Sequence, residues 1–341
     1  MKHHRFVRIP HLGNGTERDG PFGSPGWTDT LSPQMEPRTI ELACPTCRLP
    51  LRNLGEAGTA CDACGGLYPV VDGIHRFLTA DRLAHFQSFL HDYTAIRRAE
   101  GRWAGDAAAF RRLPEPTPGD PLEAQWKLRS RTWATVRERV LRPAGTGLVV
   151  VDVGAGVGWL SNRLHELGHQ PHAVDLTIDG IDGLGAARHY DPPWPRYQAE
   201  MDALPFACAQ ADLVVFNASV HYSTDYARTI GEALRVLRPD GRIVIMDSPV
   251  YSRDAAGRQM VAERHADFER RFGTRSDSVA SVEYLTDAML ADVGRQLGVR
   301  WHYHRTWYGW SWAMRPWRAR LRRRRQPSRF VVLVGTRDVL R

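Results

Sequence analysis

The stretch Val149-Val-Val-Asp-Val-Gly-Ala-Gly-Val-Gly-Trp-Leu160 runs as an apolar segment with an acid at Asp152, then breaks into glycines at 154, 156 and 158. β-Branched residues from Val149 to Val153 suit a fully buried parallel strand. The alternate glycines let the backbone turn tightly and approach a ligand without Cβ interference, which marks a place for a nucleoside cofactor. The next residues complete a βαβ unit. Positions 159–167 read as a helix stopped by Gly168, and 170–174 as a short strand ending at Asp175. Asp175 stands 21 residues past Gly154, where an acid hydrogen-bonds a ribose diol. Dinucleotide-binding proteins share that geometry, so the pattern alone does not name the cofactor. Trp159, however, occupies the place where a dinucleotide fingerprint wants its last glycine, which argues against a pyrophosphate and for a mononucleoside.

Further on, 196–199 reads as a short strand leading into Glu200-Met-Asp-Ala-Leu-Pro-Phe206, and 211–217 as a buried strand leading into Ala218-Ser-Val-His-Tyr222. A helix over 225–237 then meets the turn Leu237-Arg-Pro-Asp-Gly241 and a strand reaching Asp247. In this order, over roughly residues 146–250, the elements resemble the class I S-adenosylmethionine-dependent methyltransferases, with the 202–206 and 237–241 stretches adding most to the likeness. The resemblance implies an α/β fold, a Rossmann-like seven-stranded sheet with helices on both faces. It also implies that Asp152, Gly154, Gly156 and Gly158 line the methionine portion of the cofactor, that Asp175 meets the ribose hydroxyls, and that Asp202 and Ala203 clamp the adenine. A carboxylate at 202 accepts from the exocyclic amine while the Ala203 N–H donates to the ring; the competing reading of Asp202 is a turn cap. Asn217 falls at the carboxyl end of its strand, the rim where open α/β sheets bind ligands.

Methyl transfer asks little covalent chemistry of a protein, since the sulfonium is already electrophilic; alignment and exclusion of water are the main tasks, and a base is needed only for a protonated nucleophile. His221 and Tyr222, just past the 211–217 strand, are the first catalytic candidates, weighed against simple packing on the following helix. Asp247 and Tyr251 are weaker ones.

Ahead of this core, Cys44-Pro-Thr-Cys47 and Cys61-Asp-Ala-Cys64 form two Cys-x-x-Cys knuckles separated by thirteen residues. Four thiolates close a tetrahedral structural zinc site and leave no open position for catalysis, whereas a redox pair or chance spacing are the competing readings. With the following 67–74 stretch, a zinc ribbon over 40–79 is expected, similar to the small ribbons of methyltransferase-activating subunits. Residues 1–39, rich in Gly, Pro, Ser and Thr behind a basic start, read as a disordered lead with no apolar signal region. A helix over 81–98, a Pro-rich linker at 113–121 and a helix over 123–141 make 80–145 a helical connector; His85 and His91 lack partners at i+4 and read as solvated or packing residues. Cys208 stands alone, no run approaches roughly 18 apolar residues, and a reducing cytoplasm is the expected setting.

The methyltransferase domain is placed at 146–341, with an inserted lid at 251–282, a helix capped by Thr286 and closed by Gly298, and strands at 300–306 and 330–334. The chain has a net charge of +8, yet residues 301–341 carry eleven arginines against one acid, so the remainder is slightly acidic. This confined basicity falls on a Trp/Arg insertion at 307–328, where Trp310, Met314, Trp317 and Leu321 keep helical spacing and Pro316 forces a break or a helix start. Tryptophans at headgroup level with arginines on anionic lipid would make it a peripheral membrane contact. Arginines on phosphates with stacked bases would make it an RNA contact, and packing on the sheet edge would make it structure alone. Bacterial guanine-N1 ribosomal RNA methyltransferases also place a zinc module before such a core, but their second knuckle includes a histidine where this chain has Cys61 and Cys64. The expected function is transfer of a methyl group from S-adenosylmethionine to a small or lipid-linked molecule. An rRNA or tRNA base methyltransferase and a non-catalytic cofactor-binding scaffold are the alternatives.

Overall fold

The computed structural model describes residues 38–101, 106–191 and 194–338, all of which fall in one compact unit. The core strands are β1 (Val70–Val71), β2 (Ile74–Arg76), β3 (Val149–Val153), β4 (Gln170–Asp175), β5 (Arg196–Gln198), β6 (Ala211–Asn217), β7 (Leu237–Met246), β8 (Val299–Arg305) and β9 (Val331–Arg337). They lie side by side in the order β8-β9-β7-β6-β3-β4-β5-β2-β1. The seven expected strands are present, and two strands of the cysteine-bearing segment extend them to nine. β2 runs parallel to β5 with Ile74 opposite Arg196, and β9 is antiparallel to both its neighbours.

Alternation along the strands builds two cores. Val149, Val151 and Val153 of β3, with Val214 and Phe216 of β6, face one side of the sheet, and Val150, Leu213 and Val215 face the other. The first side is covered by α5 (Tyr226–Val236) and α7 (Asp287–Leu297), the second by α3 (Glu123–Val136) and α4 (Trp159–Glu166). Thr286 caps α7 by accepting from the Met289 N–H, and Gly298 closes it in the left-handed conformation, as expected. The 123–141 helix ends one turn earlier, at Val136, and continues through a π-helical turn over Arg137–Leu141.

The segments expected as ribbon and connector are integral to the core. Leu42 bridges Phe206, and the Ala43 N–H donates to the Pro205 carbonyl at 3.1 Å. Arg48 reaches buried Glu232 at 2.6 Å, which also accepts from Arg235 and from the Leu204 N–H at 2.7 Å. The expected boundary at 79/80 is therefore crossed by sheet hydrogen bonds and a buried ion pair. The expected lead lies outside the described residues apart from 38 and 39, and Arg38 is already held, its N–H donating to Gln170 at 2.9 Å. The expected lid at 251–282 holds α6 (Asp254–Phe272), and past its end a short strand, Leu285–Thr286, pairs with Val250–Tyr251. Among the described residues no helix is long and apolar enough to cross a membrane.

Candidate active site

Chain order reverses across β3, with β4 on one side and β6 on the other, and the loops leaving the carboxyl ends of these strands open a crevice. The glycine loop after β3 forms its floor. Gly154 has φ of +75°, and a Cβ there would meet Ser219 Cβ at 2.2 Å; at Gly158, φ of +76°, it would meet the Trp194 ring at 2.1 Å. Both glycines are thus required by conformation and by close packing. Gly154, Ala155, Gly156 and Val157 line a cavity of about 420 Å³ together with Asn217, Ala218 and Asp182. Asn217 Oδ1 is buried without a hydrogen-bond partner among the described residues. Ala218 and Asp247, each just past a strand end, hold φ of +53°, an uncommon conformation for residues with a side chain.

The opposite wall comes from the connector. Leu113, Glu115 and residues 117–121 of the expected linker, with Leu122, line this cavity beside Trp126 and Arg129 of α3. Trp159 explains how α3 arrives there: its ring lies edge-on to Trp126 and Trp133, with centroids 6.3 and 6.2 Å away. The residue that departs from a dinucleotide fingerprint is the one that docks the cavity wall.

A second, smaller pocket of about 130 Å³ adjoins Asp202, Leu176 and Tyr222. Helix α1 (Ala80–Ala99) runs from one pocket to the other. Arg82 near its start makes paired hydrogen bonds to Glu200 at 2.7 and 2.6 Å. Tyr93 and Arg97 near its end line the larger cavity. Arg97 donates to the Tyr222 hydroxyl at 3.2 Å and sits 3.6 Å from Asp182 and 4.5 Å from the Tyr93 ring centre. Tyr222 lies edge-on to both Phe89 and Tyr93, whose own rings are tilted by 34°, and the three form an aromatic cluster between the pockets.

The acids expected to meet the cofactor are placed unequally. Asp202 borders the smaller pocket, where its carboxylate pairs with Arg228 at 3.0 Å and burial raises its pKa. Ala203 borders a neighbouring groove rather than that pocket. Asp175 accepts from the Gly156 and Thr177 N–H groups, both at 2.7 Å; burial outweighs these bonds and raises its pKa. Asp152 lies behind the glycine loop, fully buried, accepting from Ser161 at 2.7 Å with its other oxygen unpartnered among the described residues, and burial pushes its pKa up to about 7.

The catalytic candidates lie away from the larger cavity. His221 does not line the cavity on the glycine loop: it is buried, its Nδ1 lies 3.2 Å from Ser248 Oγ, and its carbonyl accepts from the Glu283 N–H at 2.7 Å. Burial, with the charges of Arg264, Arg97 and Arg129, pushes its pKa down to about 3, so it stays neutral and packed. Tyr222 faces the Asp202 pocket instead of the larger cavity. Asp247 accepts from Thr132 at 2.7 Å, and buried Tyr251 accepts from Arg325 at 3.0 Å.

Cys44, Cys47, Cys61 and Cys64 converge, their sulfurs all within 4.8 Å of one another, with 3.6 Å between Cys44 and Cys64 and 3.3 Å between Cys47 and Cys61. Sulfurs about 2.3 Å from a tetrahedral zinc are about 3.8 Å apart, so the donor set fits that ion. The Tyr68 hydroxyl lies 3.2 Å from Cys44 Sγ and ties the cluster to the ring stack of Phe77, Tyr197 and Phe206.

Sheet order, glycine loop and carboxyl-rim crevice together define a class I S-adenosylmethionine-dependent methyltransferase fold. Residues 151–245 match the methyltransferase domain family, and the chain carries that domain. Over 97 residues the chain is 36% identical to the malonyl-[acyl-carrier protein] O-methyltransferase of Hahella chejuensis, covering 28% of this chain and 34% of that protein. Over 149 residues it is 30% identical to the Pectobacterium atrosepticum protein of the same name, covering 44% and 51%. The chain thus spans about half or less of the length of these relatives. Among solved structures, it is similar to a Mesorhizobium loti S-adenosylmethionine-dependent methyltransferase, with TM-score 0.46 and 19% identity over 61% of this chain and 98% of the other. It is also similar to the Burkholderia thailandensis 1,6-didemethyltoxoflavin-N1-methyltransferase, with TM-score 0.43 and 16% identity over 84% and 98%.

Proposed function

We propose that this chain binds S-adenosylmethionine along the crevice and directs its methyl group to a nucleophile on a small or lipid-linked acceptor. The observation that carries the reading is the pair of pockets under α1, one on the glycine loop and one at Asp202, with Asp175 between them in the chain. When bound, the cofactor supplies a methyl carbon on a sulfonium; the acceptor's lone pair forms the new bond to that carbon as the carbon–sulfur pair returns to sulfur. The protein's part is positional. The Gly154–Val157 backbone receives the amino-acid end, Asp175 the ribose and Asp202 the adenine, while α1 and the 113–122 segment exclude water. The cavity extends past the loop to Trp126, which leaves the acceptor room beside the methionine end. No base is assigned, and an acceptor that is already ionised needs none.

The acceptor class is supported by relatives whose names specify a malonyl group on an acyl-carrier protein. The four cysteines are proposed as a structural zinc site, and free thiols reserved for a metal suit a reducing cytoplasm. Titration of S-adenosylmethionine into Asp175→Ala and Asp202→Ala tests the reading: each is expected to weaken binding by about tenfold or more. Unchanged affinity in both variants overturns it. Methyl incorporation into RNA, with none into acyl or other small acceptors, would favour the RNA alternative; cofactor binding with no transfer to any acceptor would favour the scaffold.

A further inference from the structure

The 306–330 segment leaves the sheet between β8 and β9. Because β9 is antiparallel to both β7 and β8, β8 runs parallel to β7, and the segment departs from the same rim as the glycine loop and Asp247. Its inner face is anchored. The hydroxyl of buried Tyr308 shares a hydrogen bond with Thr132 at 2.7 Å, and Thr132 reaches Asp247 at 2.7 Å. Trp312 stacks on Phe330 at 5.6 Å under the Arg315 guanidinium. As the sequence suggests, Pro316 starts a second helix, so the segment folds as α8 (Trp310–Ala313) and α9 (Arg315–Leu321).

The outer face is built differently. Trp310, Trp317 and Leu321 are 78%, 76% and 84% exposed, with Trp307 and Met314 beside them. The arginines divide in the same way. Arg325 pairs with Glu263 at 2.9 Å and Arg329 with Asp287 at 2.7 Å, whereas Arg318, Arg320, Arg322, Arg323 and Arg324 are exposed and have no carboxylate partner among the described residues. Bulky apolar side chains left in water beside unneutralised cations call for a partner that is apolar inside and anionic outside.

We infer that α8 and α9 form a docking face for an anionic phospholipid bilayer, with Trp310, Trp317 and Leu321 entering the headgroup–acyl boundary and Arg318, Arg320 and Arg322–Arg324 facing the lipid phosphates. Tryptophan prefers that boundary, and cationic side chains at its edge add attraction that weakens with salt. Met314 and Leu321 favour lipid over RNA, because an aliphatic side chain offers no stacking plane to an unpaired base. The segment leaves the sheet at the rim that carries the candidate site, so docking would bring that rim close to the membrane surface. The inference stands apart from the cofactor reading, because docking requires no methyl transfer.

The test is co-sedimentation of the full chain with phosphatidylcholine vesicles, with and without roughly 30% phosphatidylglycerol, across a salt series. Two triple variants accompany it, W310S/W317S/L321S and R322S/R323S/R324S, with thermal melting and cofactor titration confirming that each is folded. The expected results are retention on the anionic vesicles that falls with salt, a loss of about tenfold or more in the apolar variant, and loss of the anionic preference in the arginine variant. Three results would overturn the inference: no retention of the unaltered chain on anionic vesicles, retention unaffected by both variants, or binding of a single-stranded RNA oligonucleotide in place of vesicles. A dimer that the apolar variant dissolves, without vesicle binding, overturns it too and assigns the face to a second copy.

Discussion

At the scale of single residues, Asp152 and Gly158 show opposite relations between sequence and role. The need for glycine at 158 is visible in the spacing, but its reason is Trp194, whose ring occupies the space a Cβ would take. No local pattern announces a contact 36 positions away. Asp152 reads as a ligand-facing acid and instead sits behind the loop on Ser161. Its folded pKa, pushed up to about 7, exceeds the ordinary carboxylate value, so folding is favoured when it is protonated and disfavoured once it must ionise. The penalty is absent below about pH 4, grows up to about pH 7 and is constant above. Asp152→Asn keeps an acceptor for Ser161 and is therefore expected to raise stability at pH 8 by at most about 4 kcal/mol, read as a higher melting temperature, with no gain at pH 4. Melting curves at the two pH values check this; equal effects at both would remove the buried charge as the cause.

At the scale of elements, periodicity in 81–98 and 123–141 foretold two helices but not what they do. A helical stripe shows that a face is buried and says nothing of its partner, and both helices proved to be walls of the crevice. Trp159, Trp126 and Trp133 are the contact that sets α3 in place, so Trp133→Ala should cost about 3–5 kcal/mol and loosen the cavity wall. Chemical denaturation reads the first effect and cofactor titration the second. The 113–121 stretch was legible as irregular from its prolines and glycine, and its lining role was not, because that role depends on where α2 (Ala107–Arg112) and α3 hold its ends. His221 and Tyr222 lie where ligands bind in open α/β sheets, yet only the side-chain direction, inward onto Ser248 for one and toward the Asp202 pocket for the other, decides their part. His221→Gln is accordingly expected to lower stability far more than turnover per folded molecule, a split that activity normalised to the folded fraction measures.

For the whole molecule, the seven central strands and the cysteine site were legible because each rests on local spacing, whereas the union of the two was not. The pairing of β2 with β5 joins residues 122 positions apart and leaves no mark in either segment. Metal and fold should therefore fail together: a strong chelator is expected to lower the temperature of one shared unfolding transition rather than add a separate early one, and calorimetry distinguishes the two. Acid should act on the same cooperative unit. Burial pushes His172 down to about 4 and His221 to about 3, so both are neutral when folded and take up protons on unfolding. Stability they support is present above about pH 6.5 and lost as pH falls toward 4, which a pH series of denaturation midpoints checks.

The junction between β2 and β5 has one further consequence. Without β1 and β2, the open side of β5 would present unpaired N–H and carbonyl groups at the margin of a wide parallel sheet, a template for other chains. The hairpin covers that margin and ends it in β1, a strand of only two residues, too short to recruit another. On this account the cysteine segment guards against self-association, and stripping its metal should lower the temperature at which the chain begins to aggregate together with the temperature of its single unfolding transition.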